Sequence, residues 1–282
     1  MDYKIPKFVK WAGGKGQLLS QFEPLFPKSF NRYFEPFVGS GAVFFYVKEK
    51  YSPKETVISD INDELITAYK VIRDDVESLI IELKQHKDYH VSEGKSYYLK
   101  IRENDHKLLS DVKKAARFIY LNKTCFNGLY RVNSKGKFNV PMGDYKNPDI
   151  IQEDKLRAIS MLIKNTDIRL MPFENIVNLA EKGDFVYFDP PYYPITKGKN
   201  FTSYTKEVFM EEEQTKLFKI FRELDKKGCL VMKSNSDTDF IKNLYKDYNI
   251  RIVQASRSIN SDASKRGKVN EVVITNYLLN TK

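Results

Sequence analysis

The chain has 282 residues, 41% of them hydrophobic and 30% charged, which supplies a sizeable core and argues against disorder. Two distant cysteines exclude a disulfide framework and a cysteine-rich zinc site; with no signal-peptide core at the start and no apolar run of about 18 residues, a cytoplasmic protein without a membrane span is expected. The excess of 47 Lys+Arg over 37 Asp+Glu, a net +10, points to a polyanionic partner, because clustered cations release phosphate counterions on binding; a lysine-rich surface that serves only solubility is the plain alternative.

In chain order, FVKWAGGKGQLL at 8–19 comes first. It holds the single tryptophan, Trp11, and runs through Gly13-Gly14-Lys15 into a helix, as an anion-binding loop or as a turn with a packed Trp. A strand at 33–37 leads through Gly39-Ser40-Gly41 into a helix at 42–50, and TVISD at 56–60 is the next strand. Residues 65–124 read as consecutive helices. His86 and His90 sit at i, i+4 there, but no Glu or Cys joins them, so an ordinary helix surface is expected rather than a metal site. LYRVN-SKG-KFNV, residues 129–140, reads as a β-hairpin. Strands at 168–171, 185–188, 229–233, 250–253 and 272–276, with a helix at 208–226, complete an α/β pattern with a largely parallel sheet. Gly/Lys/Ser-rich loops fall at 193–206 and 256–270.

Three segments carry chemistry. The glycine loop after the first strand lets a ligand approach the backbone beside a helix start, and Asp60, about 20 residues on, is placed to accept from ribose hydroxyls. Phe44 stands where a dinucleotide fingerprint has its third glycine, so an adenosyl ligand without phosphates fits better than NAD; a plain glycine turn is the alternative. In FVYFDPPYYP, residues 185–194, two prolines without N–H groups stiffen the turn after a strand. There the Asp189 carboxylate and the Pro190 carbonyl can face one donor, such as an exocyclic amine, and Tyr192 offers a ring face to a planar base. The third segment, 117–146, carries six Lys/Arg (117, 123, 131, 135, 137, 146) against one acid, Asp144, interleaved with Phe126, Tyr130, Phe138 and Tyr145. A hairpin of this kind fits the major groove, with Arg131 matching guanine O6 and N7; a solvated hairpin tip is the alternative.

KWAGGK, FEPFVGSGA, FNGLYRVNSKGKFNVPMGDYKNP, DFVYFDPPY and FTSYT, in that order, closely resemble the Dam-type DNA adenine methyltransferases, which include the GATC methylases of restriction systems. The likeness runs over nearly the whole chain and is weakest at 75–110. DPPY alone also occurs in some RNA methyltransferases; its combination with NGLYRVN and FNVPMG is far more specific. The resemblance implies an α/β class I S-adenosylmethionine-dependent methyltransferase fold, a Rossmann-like sheet of seven strands with one antiparallel. The catalytic core would be 1–64 and 151–282, and 65–150 an inserted helical and β-hairpin recognition region. Trp11, Lys15, Phe37, Gly39, Gly41, Asp60 and Asp189 would contact the cofactor, the glycines beside its methionine moiety and Asp60 on its ribose. Asp189, Pro190 and Tyr192 would grip the target base. Lys10 and Arg131 would contact bases of the recognition sequence, with Phe126, Asn127, Leu129 and Pro141 approaching the DNA beside them. Tyr204, within FTSY at 201–204, would belong to the loop over the extruded adenine. The expected reaction is direct methyl transfer to N6 of a flipped adenine in double-stranded GATC, with no metal. A cognate restriction endonuclease encoded nearby and a monomeric state are expected. An RNA N-methyltransferase, a protein-amide or small-molecule methyltransferase, and a DNA-binding module that has lost catalysis are the competing readings.

Overall fold

A computed structural model describes residues 6–195, 209–256 and 268–278. Its centre is a seven-stranded sheet ordered β3-β2-β1-β4-β5-β7-β6. The strands are β1 (Tyr33–Pro36), β2 (Thr56–Asp60), β3 (Thr166–Leu170), β4 (Phe185–Phe188), β5 (Leu230–Ser236), β6 (Asn249–Ser256) and β7 (Lys268–Thr275). β1 to β5 pair in parallel, and β7 runs antiparallel to both β5 and β6. This is the seven-stranded α/β methyltransferase arrangement with one reversed strand.

β1 and β4 read Tyr-Phe-Glu-Pro and Phe-Val-Tyr-Phe, and every residue of both is buried. Continuous burial of this kind follows from a parallel sheet covered on both faces. Alternation divides the side chains between two cores. Tyr33, Phe185 and Tyr187 enter one; Phe34, Val186 and Phe188 enter the other. Helices α1 (Leu19–Phe22) and α2 (Ala42–Tyr51) precede β2.

Between β2 and β3 stand α3 (Asp63–Asp74), α4 (Val76–Glu93), α5 (Lys95–Glu103), α6 (Asp111–Thr124) and α7 (Glu153–Ile163). Asn62 caps α3 by accepting from the Leu65 amide. α3 lies on β2 and β3 and packs against α6, which packs in turn against α4. The helices therefore share one core with the sheet. α8 (Glu211–Lys226) and α9 (Asp239–Leu244) follow β4 and β5, and α8 sends Leu217, Phe221 and Leu224 into the second core. Among the described residues no helix is long and apolar enough to cross a membrane.

Several side chains sit differently from the sequence-based expectation. Arg117, counted there among the basic residues of the recognition stretch, is buried. It pairs with Glu64 at 2.6 Å and donates to the carbonyls of Ile101 and Arg102, so it joins helices rather than facing solvent. His86 and His90 are also buried, not on a helix surface. The face of α4 that carries them meets α5 and α6, where their Nδ1 atoms lie 2.8 and 2.9 Å from the hydroxyls of Tyr97 and Tyr120. The hairpin is real but short. Val132 pairs with Phe138, and the Asn139 amide donates to Arg131 O. Phe138 is buried and packs on Tyr130, whereas Phe126 is half exposed.

The chain leaves β1 for β2 and β3 on one side and returns to β4 on the other. The crevice at the carboxyl ends of β1 and β4 is thus the switch point at which open α/β sheets bind ligands.

Candidate active site

A cavity of about 1780 Å³ opens at that crevice, larger than the roughly 300–1,000 Å³ of a single small-molecule site. β1 delivers its glycine loop to one wall. Gly39 adopts φ 49°, and a Cβ there would lie 2.8 Å from Trp11 Cδ1; a side chain would push the indole aside. The Gly39 amide donates to Asp60 Oδ2 at 3.3 Å, and the Asn62 amide to Oδ1 at 3.0 Å. Burial raises the Asp60 carboxyl, and these amides oppose the rise. Trp11, Phe37, Gly39 and Asp60 all line the cavity, where the Phe37 ring stacks on Phe173 with centroids 5.1 Å apart. Gly41 stands one step behind the wall. It caps α2 with φ 71°, and a Cβ there would meet the Tyr69 hydroxyl at 2.6 Å. Packing alone demands a glycine at that position.

β4 delivers the opposite wall. Lys15 Nζ lies 3.1 Å from Asp189 Oδ1, and the Ser234 hydroxyl donates to the same oxygen at 2.7 Å. Burial raises the Asp189 carboxyl; Lys15 and Ser234 pull it back. The buried Lys15 also stands 4.3 Å from the centroid of the Tyr192 ring, whose hydroxyl donates to Glu271 Oε2 at 2.7 Å. One face of Tyr192 thus rests against an ammonium. Neither proline of the turn has an N–H. The Pro191 carbonyl accepts from Gln214 Nε2 at 3.1 Å. Among the described residues no donor reaches the Pro190 carbonyl or Asp189 Oδ2, which leaves two acceptors one residue apart.

Six carboxylates and three lysines line the cavity, in a chain whose net charge is +10. Glu35, 2% exposed, accepts from the Tyr33 hydroxyl; burial pushes its carboxyl well up, and the charge of Asp189 adds to the rise. Desolvated carboxylates of this kind favour a cationic ligand. Walls with more carboxylates than lysines suit a small ligand that carries cationic groups and no phosphate.

Glu35, Ser234 and Glu271 were not singled out from sequence. Glu35 has a signal, a lone acid in an otherwise apolar strand. Ser234 has one too, since polar residues end the apolar run of β5. Glu271 has none. It reaches Tyr192 only because β7 folds back on β5 and pairs Glu271 with Ser236.

A second group gathers beside the cavity. Lys10, Phe126, Asn127, Leu129, Arg131 and Pro141 are all exposed. The Phe126 amide donates to the Pro141 carbonyl at 2.9 Å, and Asn127 takes the left-handed φ of 55° that asparagine tolerates. Asn122, 2% exposed, joins this segment to the amino-terminal loop: the Lys10 amide donates to its Oδ1, and its Nδ2 donates to the carbonyls of Lys10 and Gly128. Lys10 Nζ stands 4.8 Å from the Tyr145 ring centroid. The Arg131 guanidinium donates to Asn139 Oδ1 at 2.7 Å and Asn139 O at 3.2 Å. Lys123 is half-buried, and desolvation pushes its amine down to about 8. The exposed cations of the stretch are therefore Arg131, Lys135, Lys137 and Lys146. Trp11 stacks on Tyr130, 5.8 Å between centroids, and so touches both surfaces. Tyr204 and the rest of 201–204 lie outside the described residues.

A family model described as D12 class N6 adenine-specific DNA methyltransferase matches residues 11–259. The type II methyltransferase M.MjaIII of Methanocaldococcus jannaschii is 47% identical over 288 residues, covering 97% of this chain and 100% of that protein. The type II methyltransferase M1.LlaDCHI of Lactococcus lactis subsp. cremoris is 45% identical over 276 residues, covering 96% and 95%. The DNA adenine methylase of Escherichia coli K12 is 32% identical over 266 residues, covering 94% and 93%.

Proposed function

The chain belongs to the D12 class N6 adenine-specific DNA methyltransferases, and from that premise we propose that it transfers methyl from S-adenosylmethionine to N6 of adenine in double-stranded GATC, after extruding that base. The observation that carries this reading is the acidic cavity into which β1 brings the glycine loop and β4 the Asp-Pro-Pro-Tyr turn.

Trp11, Lys15, Phe37, Gly39, Asp60 and Asp189 hold the cofactor on this reading, with Gly41 supporting the loop from behind. The cofactor, when bound, supplies an electrophilic methyl on a sulfonium. The chain's own task is positioning. An adenine amine is a poor nucleophile because its lone pair is delocalised into the ring. Asp189 Oδ2 and the Pro190 carbonyl accept its two hydrogens, which favours a tetrahedral nitrogen with a free lone pair. Tyr192 supplies the stacking face, and the base must leave the helix to reach it. Lys10, Phe126, Asn127, Leu129, Arg131 and Pro141, with Tyr204 of the FTSY segment, form the DNA contact surface. Residues 65–150 act as the recognition region on a core of 1–64 and 151–282. The protein works in the cytoplasm as a monomer on duplex DNA; the type II names of two relatives favour a cognate restriction endonuclease encoded nearby.

The test uses labelled cofactor with duplex DNA, RNA or neither, followed by sequencing of methylated positions. Label in DNA alone, on adenines within GATC, is expected. Asp189→Ala should lower methyl transfer at least about 100-fold, as the loss of one preorganised polar group does elsewhere, while DNA association stays near normal. Adenines methylated equally outside GATC would remove the specificity; near-normal turnover of Asp189→Ala would remove the catalytic assignment.

A further inference from the structure

β5 ends in Lys233-Ser234-Asn235-Ser236 beneath the Asp-Pro-Pro-Tyr turn, and Lys233, Asn235 and Gln214 of α8 are each 0% exposed. A fully buried lysine ordinarily has a carboxylate partner. Here Lys233 Nζ instead donates to Gln214 Oε1 at 3.0 Å and to the Tyr245 hydroxyl at 3.2 Å, and stands 4.3 Å from the Tyr245 ring centroid. Asn235 Nδ2 donates to the same Gln214 Oε1 at 3.1 Å. With two donors fixed on its oxygen, the Gln214 amide can present only its nitrogen elsewhere. That nitrogen donates to the Pro191 carbonyl. Asn235 Oδ1 meanwhile accepts from the Tyr193 amide at 3.1 Å, and the Ser236 hydroxyl donates to the Tyr193 carbonyl at 2.6 Å. The peptide groups immediately before and after Tyr192 are thus both held from below by one buried polar network.

We propose that Gln214, oriented by Lys233 and Asn235, is a positioning residue that fixes the peptide group before Tyr192 while Asn235 fixes the one after it, and that together they set the tilt of the Tyr192 ring and the direction of the Pro190 carbonyl. The inference rests on the proposed role of the Asp189–Tyr192 turn. Two facts favour this role over a purely stabilising one. Burying an amine without a counter-charge costs stability, and apolar residues would fill the space at lower cost. The network also ends on the two peptide groups that bracket the stacking residue. Tying up the Pro191 carbonyl leaves the Pro190 carbonyl as the acceptor of the turn.

Full-length Gln214→Met keeps the side-chain volume and removes the amide. It should lower kcat about 10- to 100-fold, the cost of a reactive group displaced by about 1 Å, while the KM for S-adenosylmethionine stays near wild type because Gln214 does not line the cavity. Lys233→Met removes one of the two donors that orient the amide, leaving only Asn235. It should lower kcat with an unchanged or raised thermal midpoint, a split that a structural role would not produce. Wild-type kcat in either variant overturns the proposal, as does a kcat loss matched by parallel losses in cofactor KM and thermal midpoint in both. Asp189→Ala is assayed alongside. If it is inactive while Gln214→Met is normal, only this inference fails; if it remains active, the reading of the turn itself has failed.

Discussion

Arg131 carries five N–H donors and uses two within its own hairpin. Its Nε–H reaches Asn139 Oδ1 and one terminal N–H reaches the Asn139 carbonyl. The outer edge of the guanidinium, with hydrogens on both terminal nitrogens, remains for a partner, and its spacing matches guanine O6 and N7. The two internal bonds also fix the plane of the fork before DNA arrives, which lowers the entropy lost on binding. Arg131→Ala should therefore cost about 1–3 kcal/mol of discrimination at one base pair and relax specificity there. Binding to unrelated DNA should change much less. Methylated sites of wild type and variant, compared by sequencing, test this; uniform weakening with the sequence preference intact would mean a phosphate contact instead. At this scale the sequence revealed the residues that follow one another along the chain. Gly39, Asp60, Asp189 and Arg131 each sit at a fixed distance from a strand end or turn, and that spacing is visible in one dimension. The partners that tune them are not. Ser234 reaches Asp189 from 45 residues away, and Glu271 reaches Tyr192 from 79; only strand order brings them together.

The helices between β2 and β3 show how an element conceals its environment. α4 carries exposed Ile81 and Val91 yet buries His86 and His90, so its polar and apolar residues do not sort by face. The histidines look like surface residues until α5 and α6 close over them with Tyr97 and Tyr120. A measurable consequence follows. Burial, with the charge of Arg117 adding to it, lowers His86 from 6.5 to about 4. Below pH 6.5 the unfolded chain gains a proton at this ring and the folded chain does not. Stability therefore falls as pH drops from 6.5 towards 4, by about 3 kcal/mol for a shift of this size. His86→Phe removes the proton-binding difference. Urea unfolding of the two proteins at pH 7 and pH 4.5 should show a steeper acid loss in wild type; equal losses would contradict the burial. The strands were easier to read, because continuous apolar runs such as Phe-Val-Tyr-Phe have few alternatives. Their ends were less so: the strand expected at 168–171 is Thr166–Leu170, and that at 250–253 extends over Asn249–Ser256. Backbone pairing continues past the apolar residues that signal a strand. The hairpin at 129–140 was legible from its turn residues, but the inward packing of Phe138 was not, since that depends on the core beneath it.

Across the whole molecule, charge is segregated in a way that composition conceals. The chain is +10 overall, yet its cavity has twice as many carboxylates as lysines. The excess cations lie outside it, where a polyanion can meet them, and the acidic cavity suits a small cation. The two binding events should then respond differently to salt. DNA association releases condensed counterions, with log K falling against log salt by about 0.9 per phosphate neutralised on B-DNA. A small cation entering the crevice displaces no such atmosphere, and partly buried charges are screened less than exposed ones. DNA affinity should therefore fall steeply between low and moderate salt while cofactor affinity changes little. Lys135 and Lys137 at the exposed hairpin tip make the sharper case. Both are exposed, and their backbone amides donate to Asn133 Oδ1, which shapes the turn without involving their ammonium groups. If both meet phosphate, Lys135→Ala with Lys137→Ala should reduce the salt slope by about 2. The reduction should be the same on GATC-containing and GATC-free duplexes, because phosphates carry no sequence. Binding isotherms at four or more salt concentrations, on both duplexes, measure it. An unchanged slope would place the hairpin tip in solvent and move the phosphate contacts to Lys10, Lys146 and the remaining surface lysines; a change confined to the GATC duplex would make these lysines base readers rather than phosphate anchors.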